Sequence, residues 1–159
     1  MKNPASFLIT GLPVEQFSGF FAMSDEELSL HNGRRCVADS KPGFPCRVSL
    51  VDAEPGETLI LVPYQHHAVN GPYQSSGPVF VRERAKPAEL NVNELPEVVK
   101  HRLISVRAYS EDAWMLASAA VEGRDLERQI ADCFANEKVA YLHLHNAKPG
   151  CFSCRVDRA

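Results

Sequence analysis

The hydrophobic and polar residues of this chain follow two different periods, and their order along the sequence predicts a mixed structure. Short apolar or alternating runs are typical of strands, and they occur at 6–10, 35–38, 46–50, 58–62, 79–83, 103–109, 115–121, 139–145 and 152–156. Apolar residues at helical spacing, with capping and stop signals, predict helices near 14–21, 24–33, 95–100 and 124–136. Because strands and helices do not alternate strictly, we expect an α+β fold with a largely antiparallel sheet and about two to four helices.

Two predicted connections decide where functional residues would lie. The strands at 35–38 and 46–50 flank a proline–glycine turn signal, which predicts a hairpin. Residues 64–77 show no periodicity and predict a long polar loop that contains Tyr64 and His66. Loops of this kind concentrate binding residues, so Tyr64 and His66 are candidate ligand-binding residues. The simpler interpretation is that His66 and His67 are an exposed pair without a role.

The C-terminal stretch is the most informative part of the sequence, because it repeats chemistry found earlier in the chain. Lys-Pro-Gly precedes Cys-Arg-Val both at 41–48 and at 148–156, so two turns each deliver a thiol and a guanidinium to a strand. The guanidinium groups are those of Arg47 and Arg155, and either can bind a carboxylate or a phosphate. We therefore expect a ligand site where the two segments meet, with Cys46 among its residues.

The last two predicted strands form a hairpin in which alternation separates histidines from leucines. His143 and His145 share one face, and the leucines face the core, so we expect the histidines to point to solvent, a cleft or a partner. If the turn is the intervening Lys-Pro-Gly segment, His145 lies opposite Cys151 with Cβ atoms about 4.5–5.5 Å apart. An imidazole at that distance can take the thiol proton and leave a thiolate nucleophile, with Asn146 or Asp157 orienting the ring.

A metal site is the alternative chemistry for this hairpin, because Cys151 and Cys154 form a C-x-x-C pair. Two histidines lie upstream, and Cys36 and Cys46 would have to complete the ligand set. A second C-x-x-C is missing, and in a continuous strand the two sulfurs face opposite sides of the sheet. We therefore expect no metal ligand and no cofactor, and a zinc-stabilised domain stays an alternative.

Composition indicates the class of protein but identifies no activity. The chain has 159 residues, of which 45% are hydrophobic and 23% charged, as expected for one globular domain spanning 1–159. A net charge of −3 gives no electrostatic reason to expect nucleic acid or an anionic membrane as a partner. Five cysteines and no apolar run of membrane-spanning length favour the reducing cytoplasm, with free thiols. Whether the protein is a homo-oligomer stays open.

The sequences at 41–57, 75–83, 102–108 and 145–151, taken together, resemble a bacterial family known as domain of unknown function 1203. The resemblance implies a small single-domain bacterial protein without an assigned activity. The family pattern matches this chain at Cys46, Arg47, His145, Asn146, Cys151 and Arg155. The family usually has alanine in place of Cys154, a histidine in place of Gly77 and no cysteine at Cys36. These departures favour a site built from the matched residues over a four-cysteine zinc site.

The residues support two functional hypotheses from different classes. In the first, the protein binds a small anionic ligand or performs thiol chemistry on one. Cys151 is then the thiolate and His145 its base, while Arg47 and Arg155 hold the anion. In the second, the hairpin edge and the polar loop bind a partner protein, and the chain is not an enzyme. The sequence identifies no substrate for either hypothesis.

Overall fold

The computed structural model describes residues 4–159, and its strands form two antiparallel sheets. The strands of the larger sheet are β1 (Phe7–Thr10), β5 (Leu103–Tyr109), β6 (Met115–Glu122), β7 (Tyr141–Asn146) and β8 (Phe152–Arg158). The strands of the smaller sheet are β2 (Arg34–Val37), β3 (Thr58–His67) and β4 (Ser75–Arg82). The larger sheet has the order β1-β8-β7-β5-β6, and the smaller has the order β2-β3-β4.

The helices of the described chain are short and lie between the strands rather than alternating with them. They are α1 (Ser18–Phe21), α2 (Asp25–Leu30), α3 (Glu97–Lys100) and α4 (Leu126–Phe134). The predicted capping box at the start of α2 is present, because Ser24 and Glu27 exchange side-chain to backbone hydrogen bonds. The predicted α+β class with largely antiparallel pairing is confirmed. Within residues 4–159 no helix is long and apolar enough to cross a membrane.

The main hydrophobic core covers one face of the larger sheet. Leu142 and Leu144 of β7 contribute to it, as the alternation in this strand predicts, and Val106 of β5 lies beside them. Helix α4 closes the core with Ile130 and Phe134. Burying a side chain of this size stabilises a fold by about 1.5–3 kcal/mol. The leucine face of β7 is thereby fixed toward the core, and its histidine face is fixed toward the other side of the sheet.

A second, smaller core covers one face of the three-stranded sheet. Ile60 of β3 and Val81 of β4 pack there against Phe17 and Leu28 from the N-terminal helical segment. Strand alternation turns the neighbouring side chains to the opposite face of this sheet. Leu61 is one of them, and it is only half-buried. Leu61 shares this face, called the outer face of the smaller sheet, with Phe80, its partner in the ladder.

The predicted hairpin between 35–38 and 46–50 is wrong. Strand β2 pairs instead with β3, which is far along the chain and more apolar than the local alternative. Residues 46–50 form a turn, in which the Leu50 N–H donates to the Cys46 carbonyl at 3.0 Å. Within this turn, the Arg47 N–H donates to the carbonyl of Phe80 at 3.0 Å. The segment thus lies along the free edge of β4 and adds to the smaller sheet.

The predicted loop at 64–77 is shorter in the structure, because β3 continues to His67 and β4 already begins at Ser75. Pro63 and Pro78 face each other in the ladder. Proline has no N–H, so two prolines can oppose one another only as a non-hydrogen-bonded pair, and there they do not interrupt the ladder. A register shift follows toward His67.

Gly11, directly after β1, packs closely against the backbone of the segment that carries Arg47. The Leu12 N–H donates to the Arg47 carbonyl at 2.7 Å, and a Cβ atom at Gly11 would lie 2.9 Å from that carbonyl oxygen. We expect Gly11→Ala to lower the free energy of unfolding by about 1–3 kcal/mol, because backbone has to move. Gly19→Ala is the matched control, since a Cβ atom there meets nothing within 4 Å. Equal urea midpoints for the two variants would contradict the close approach.

Candidate functional site

A pocket of about 660 Å³ lies between the turn that joins β7 to β8, the residues before β5, and the outer face of the smaller sheet. Its polar lining consists of Arg47, His101, Arg102, Glu122, Asn146, Lys148 and Cys151. Its apolar lining includes Pro45, Leu61, Pro78, Phe80 and Leu103. The volume lies in the range of about 300–1,000 Å³ that is typical of small-molecule sites.

The guanidinium of Arg47 is buried at the inner end of this pocket, with 2% of the residue exposed. Its Nε donates to the Phe152 carbonyl at 2.7 Å, and its Nη1 donates to the Pro45 carbonyl at 2.6 Å. Its Nη2 donates to the Cys151 sulfur at 3.0 Å. Burial lowers the pKa of Arg47, and the adjacent Cys151 acts to raise it. Among these acceptors, the sulfur is the one group that can carry a negative charge.

Cys46 comes directly before Arg47, but its side chain points away from the pocket. It is fully buried in the smaller core, and its sulfur accepts the N–H groups of Ser49 at 3.5 Å and Arg82 at 3.4 Å. The structure therefore places Cys46 behind the site, where it stabilises the turn that presents Arg47. The Cys46 sulfur does not line the pocket.

The turn between β7 and β8 holds Cys151 against Arg47. Gly150 has a φ of 82°, which favours glycine, and its N–H donates to the Asn146 carbonyl at 2.8 Å. The Asn146 N–H in turn donates to the Cys151 carbonyl at 2.9 Å. The Asn146 side-chain Nδ2 lies 3.5 Å from the Cys151 sulfur and donates to it. Two donors, from Arg47 and Asn146, thus converge on one half-buried sulfur.

The expected pairing of His145 with Cys151 is wrong. A register shift between Leu144 and His145 places His145 opposite Phe152. The His145 Nδ1–H donates to the Gly150 carbonyl at 3.0 Å, which leaves Nε2 as the acceptor nitrogen. That Nε2 is buried without a hydrogen-bond partner. His145 therefore supports the turn that carries Cys151, and the sulfur receives its hydrogen bonds from other residues.

The histidine cluster (His66, His67, His143 and His145) fills the space where β3 meets the larger sheet. His143 and His145 are 2% and 1% exposed, so the expectation that they point to solvent, a cleft or a partner is wrong. The ring centroid of His66 lies 5.1 Å from that of His145 and 6.1 Å from that of His143. His67 donates from Nδ1 to the Tyr73 carbonyl and accepts at Nε2 from the Tyr141 hydroxyl, both at 2.7 Å.

Burial keeps three of these imidazoles in the neutral form. It lowers the pKa of His143 to about 2, with His67 and His145 acting in the same direction. It lowers the pKa of His145 to about 4, against the hydrogen bond to Gly150. It also lowers the pKa of His66 to about 4. His66, His143 and His145 are therefore uncharged near neutral pH.

The C-x-x-C pair does not converge on one point. Cys154 lies in the main core, where burial raises the pKa of its thiol to about 12, whereas Cys151 lines the pocket. The two sulfurs thus face opposite sides, as the strand geometry predicts. Across the described residues, no group of three or more histidine, cysteine, aspartate or glutamate side chains is arranged to hold a metal ion.

The structure separates two predicted ligand-binding residues from Cys151. Arg155 is exposed, binds the Asp157 carboxylate through Nε and Nη2, and has its guanidinium 4.1 Å from the centroid of the Tyr141 ring. Tyr64 packs on Phe17 with ring centroids 5.3 Å apart. Neither lines the pocket. Arg47 and Arg155 therefore do not form one anion clamp.

Sequence reasoning missed Arg102 as a residue of the pocket. Its guanidinium binds the Asp52 carboxylate with distances of 2.9 and 2.6 Å, and its Nη1 also donates to the Val98 carbonyl. Burial acts to raise the pKa of Asp52, but Arg102 outweighs it, so the net pKa lies below the usual value. This pair joins residues fifty positions apart, and no local pattern signals it. Lys148, by contrast, belongs to the repeated Lys-Pro-Gly motif, so the sequence could have identified it as a residue of the pocket.

The comparisons with known proteins identify a family and no activity. The model of a family described as "Protein of unknown function (DUF1203)" matches residues 43–158, which include Arg47, Asn146 and Cys151. The chain belongs to this family. No curated protein and no solved structure is similar enough to the chain to match it.

The histidine cluster predicts a specific sensitivity to acid. A histidine whose folded pKa is depressed stabilises the fold above its unfolded pKa of about 6.5, and this stability is lost as the pH falls below that value. For His143 alone, lowering the pH from 7 to 5 is expected to reduce the free energy of unfolding by about 2 kcal/mol. This range lies above the one in which most carboxylates titrate.

Urea denaturation at several pH values measures this dependence. His143→Phe is expected to remove about 2 kcal/mol of the difference between pH 7 and pH 5, because the phenyl ring cannot bind a proton. His31→Phe, at an exposed position, is the matched control and should leave the dependence unchanged. A slope that is identical in the wild type and His143→Phe would contradict the buried neutral imidazole.

Proposed function

We propose that this member of the DUF1203 family binds a small organic anion in the pocket and that Cys151 acts on it as a nucleophile. The observation that supports this proposal is the hydrogen bond of 3.0 Å from the buried Arg47 guanidinium to the Cys151 sulfur. The sulfur is half-buried, so it is held by the protein and still lines an open pocket.

The buried charge of Arg47 has to be compensated by its partners. A buried guanidinium is strongly destabilising unless it is hydrogen-bonded and its charge is compensated. Two of the Arg47 bonds end on the neutral carbonyls of Pro45 and Phe152, and the third ends on sulfur. A cationic N–H that donates to sulfur stabilises the anionic sulfur relative to the thiol. Cys151 is therefore the residue that we assign as the nucleophile.

The charges around the pocket favour an anionic ligand. Arg47, Arg102 and Lys148 contribute positive charge to the lining, and Glu122 contributes negative charge. Asp52 largely balances the Arg102 charge, and the Cys151 sulfur compensates that of Arg47, so Lys148 remains as the group that attracts an anion. Lys148 is exposed on the turn beside Cys151, where its long side chain can follow a ligand. A cleft whose charge is opposite to that of its ligand raises both the affinity for the ligand and the rate of encounter with it.

Asn146 and His145 act as positioning residues in this proposal. The Asn146 amide donates to the sulfur at 3.5 Å, and its backbone N–H fixes the Cys151 carbonyl. His145 holds the Gly150 carbonyl, one residue before the cysteine. Holding a nucleophile in one orientation lowers the entropic part of the barrier. Neither residue takes the thiol proton in this scheme.

The alternative of a partner-binding module has less support. It relied on a free edge of the terminal hairpin and on an extended polar loop. Strands β7 and β8 each have a neighbouring strand on both sides, so the hairpin has no free edge. Part of the predicted loop belongs to β3 and β4. No feature of the described residues now favours a protein partner over a small molecule at this site.

A pair of alkylating reagents tests the proposal directly. Iodoacetate carries a carboxylate and iodoacetamide is neutral, and both transfer a carbon to sulfur with loss of iodide. We expect Cys151 to favour iodoacetate over iodoacetamide by about tenfold relative to the ratio for free glutathione, since nearby cations attract the carboxylate. Mass spectrometry of the digested protein measures the rate at Cys151, and Cys36 in the same sample is the internal control.

Two variants separate charge from folding. Lys148→Gln changes an exposed residue and should reduce the preference for iodoacetate by about two- to threefold, as expected for a solvent-screened charge. Arg47→Lys keeps a charge but cannot make all three hydrogen bonds, and it should slow both reagents at Cys151. A Cys151 that reacts with the same reagent ratio as glutathione would overturn the proposal.

A further inference from the structure

We infer that the anion bound beside Cys151 carries an apolar tail, and that this tail lies on the outer face of the three-stranded sheet. The ligand class is therefore an organic acid with an alkyl or aryl group, rather than inorganic phosphate or sulfate. This inference rests on the proposed function, since it extends the same site.

One wall of the pocket consists of side chains that strand alternation turns away from the smaller core. Leu61 of β3 and Phe80 of β4 are direct partners in the ladder, so they lie side by side on one face. Pro78 precedes Phe80 by two positions and shares this face. Leu61 and Phe80 are half-buried and Pro78 is exposed, and all three line the pocket. Together Leu61, Pro78 and Phe80 form a continuous apolar surface, which we call the apolar wall.

The apolar wall is joined to the cationic end of the pocket through the backbone. The Phe80 carbonyl accepts the Arg47 N–H at 3.0 Å. The Phe80 ring packs against Phe44, with centroids 5.3 Å apart, so its position is fixed. Pro45 also lines the pocket, and its carbonyl accepts a hydrogen bond from the Arg47 guanidinium. A ligand with its carboxylate near Arg47 and Lys148 therefore extends along this wall.

The size of the pocket favours a ligand longer than a bare carboxylate. A volume of about 660 Å³ is that of a site for a drug-sized molecule, and an ion as small as acetate would leave most of it to water. Each methylene group transferred from water onto an apolar surface tightens binding by roughly three- to fourfold. The wall thus supplies affinity that the screened surface charges alone do not.

Protection of Cys151 from iodoacetamide tests the inference. Acetate, butanoate and hexanoate are compared as competitors at constant ionic strength, with hexanamide as the uncharged analogue. We expect the concentration that halves the alkylation rate to fall by roughly threefold or more for each added methylene. Hexanamide should protect less than hexanoate by about tenfold, because it lacks the charge.

Variants of the wall identify where the tail binds. Leu61→Ser and Pro78→Ser should each reduce the advantage of hexanoate over acetate by about three- to tenfold, without changing protection by acetate. Val37→Ser is the matched control, because Val37 is an exposed apolar residue of β2 in the same sheet and does not line the pocket. It should leave the whole series unchanged. Two independent wall variants keep the test valid if one of them fails to fold.

The possible results distinguish the two proposals. Equal protection by acetate and hexanoate, with iodoacetate still favoured at Cys151, would overturn the apolar tail and leave the anion site standing. Equal protection by hexanoate and hexanamide, with no preference for iodoacetate, would overturn the proposed function itself. A chain-length effect that survives both Leu61→Ser and Pro78→Ser would place the tail elsewhere and overturn this inference.

Discussion

The buried guanidinium of Arg47 is the interaction on which the rest of the site depends. Its three hydrogen bonds connect Pro45, just before the turn at 46–50, with the first residue of β8 and the sulfur of Cys151. A group of this charge can be buried only where each bond is well made, so these segments are held in one arrangement. The pocket is the space left beside that arrangement, and the reactivity proposed for Cys151 follows from the same contact.

The two faces of β7 explain how a small protein combines this site with a stable fold. One face places leucines in the main core, and the other places His143 and His145 against His66 of the smaller sheet. The histidines are neutral because they are buried, and they pack like aromatic side chains between the sheets. His145 also holds the turn that carries Cys151. The same strand therefore joins the sheets and positions the sulfur.

The sequence predicted local features well and long-range pairing poorly. The α+β class, the capping box at Ser24 and the leucine face of β7 follow from periodicity and propensity, which act over a few residues. The prediction of a hairpin at 35–50 is wrong because β2 buries more apolar surface by pairing with the apolar β3. His145 was placed opposite Cys151 because a register shift has no signature in the sequence. Arg47 and Cys151 were found from the repeated motif, whereas their direct contact required the fold.

A double-mutant cycle between Arg47 and Cys151 tests the central claim most directly. The free energy of unfolding is measured by urea denaturation for the wild type, Arg47→Met, Cys151→Ala and the double variant, all under reducing conditions. A charged hydrogen bond is expected to give a coupling energy of about 1.5–3 kcal/mol between the two positions. Additive effects of the two substitutions, with no coupling beyond about 0.5 kcal/mol, would contradict the account.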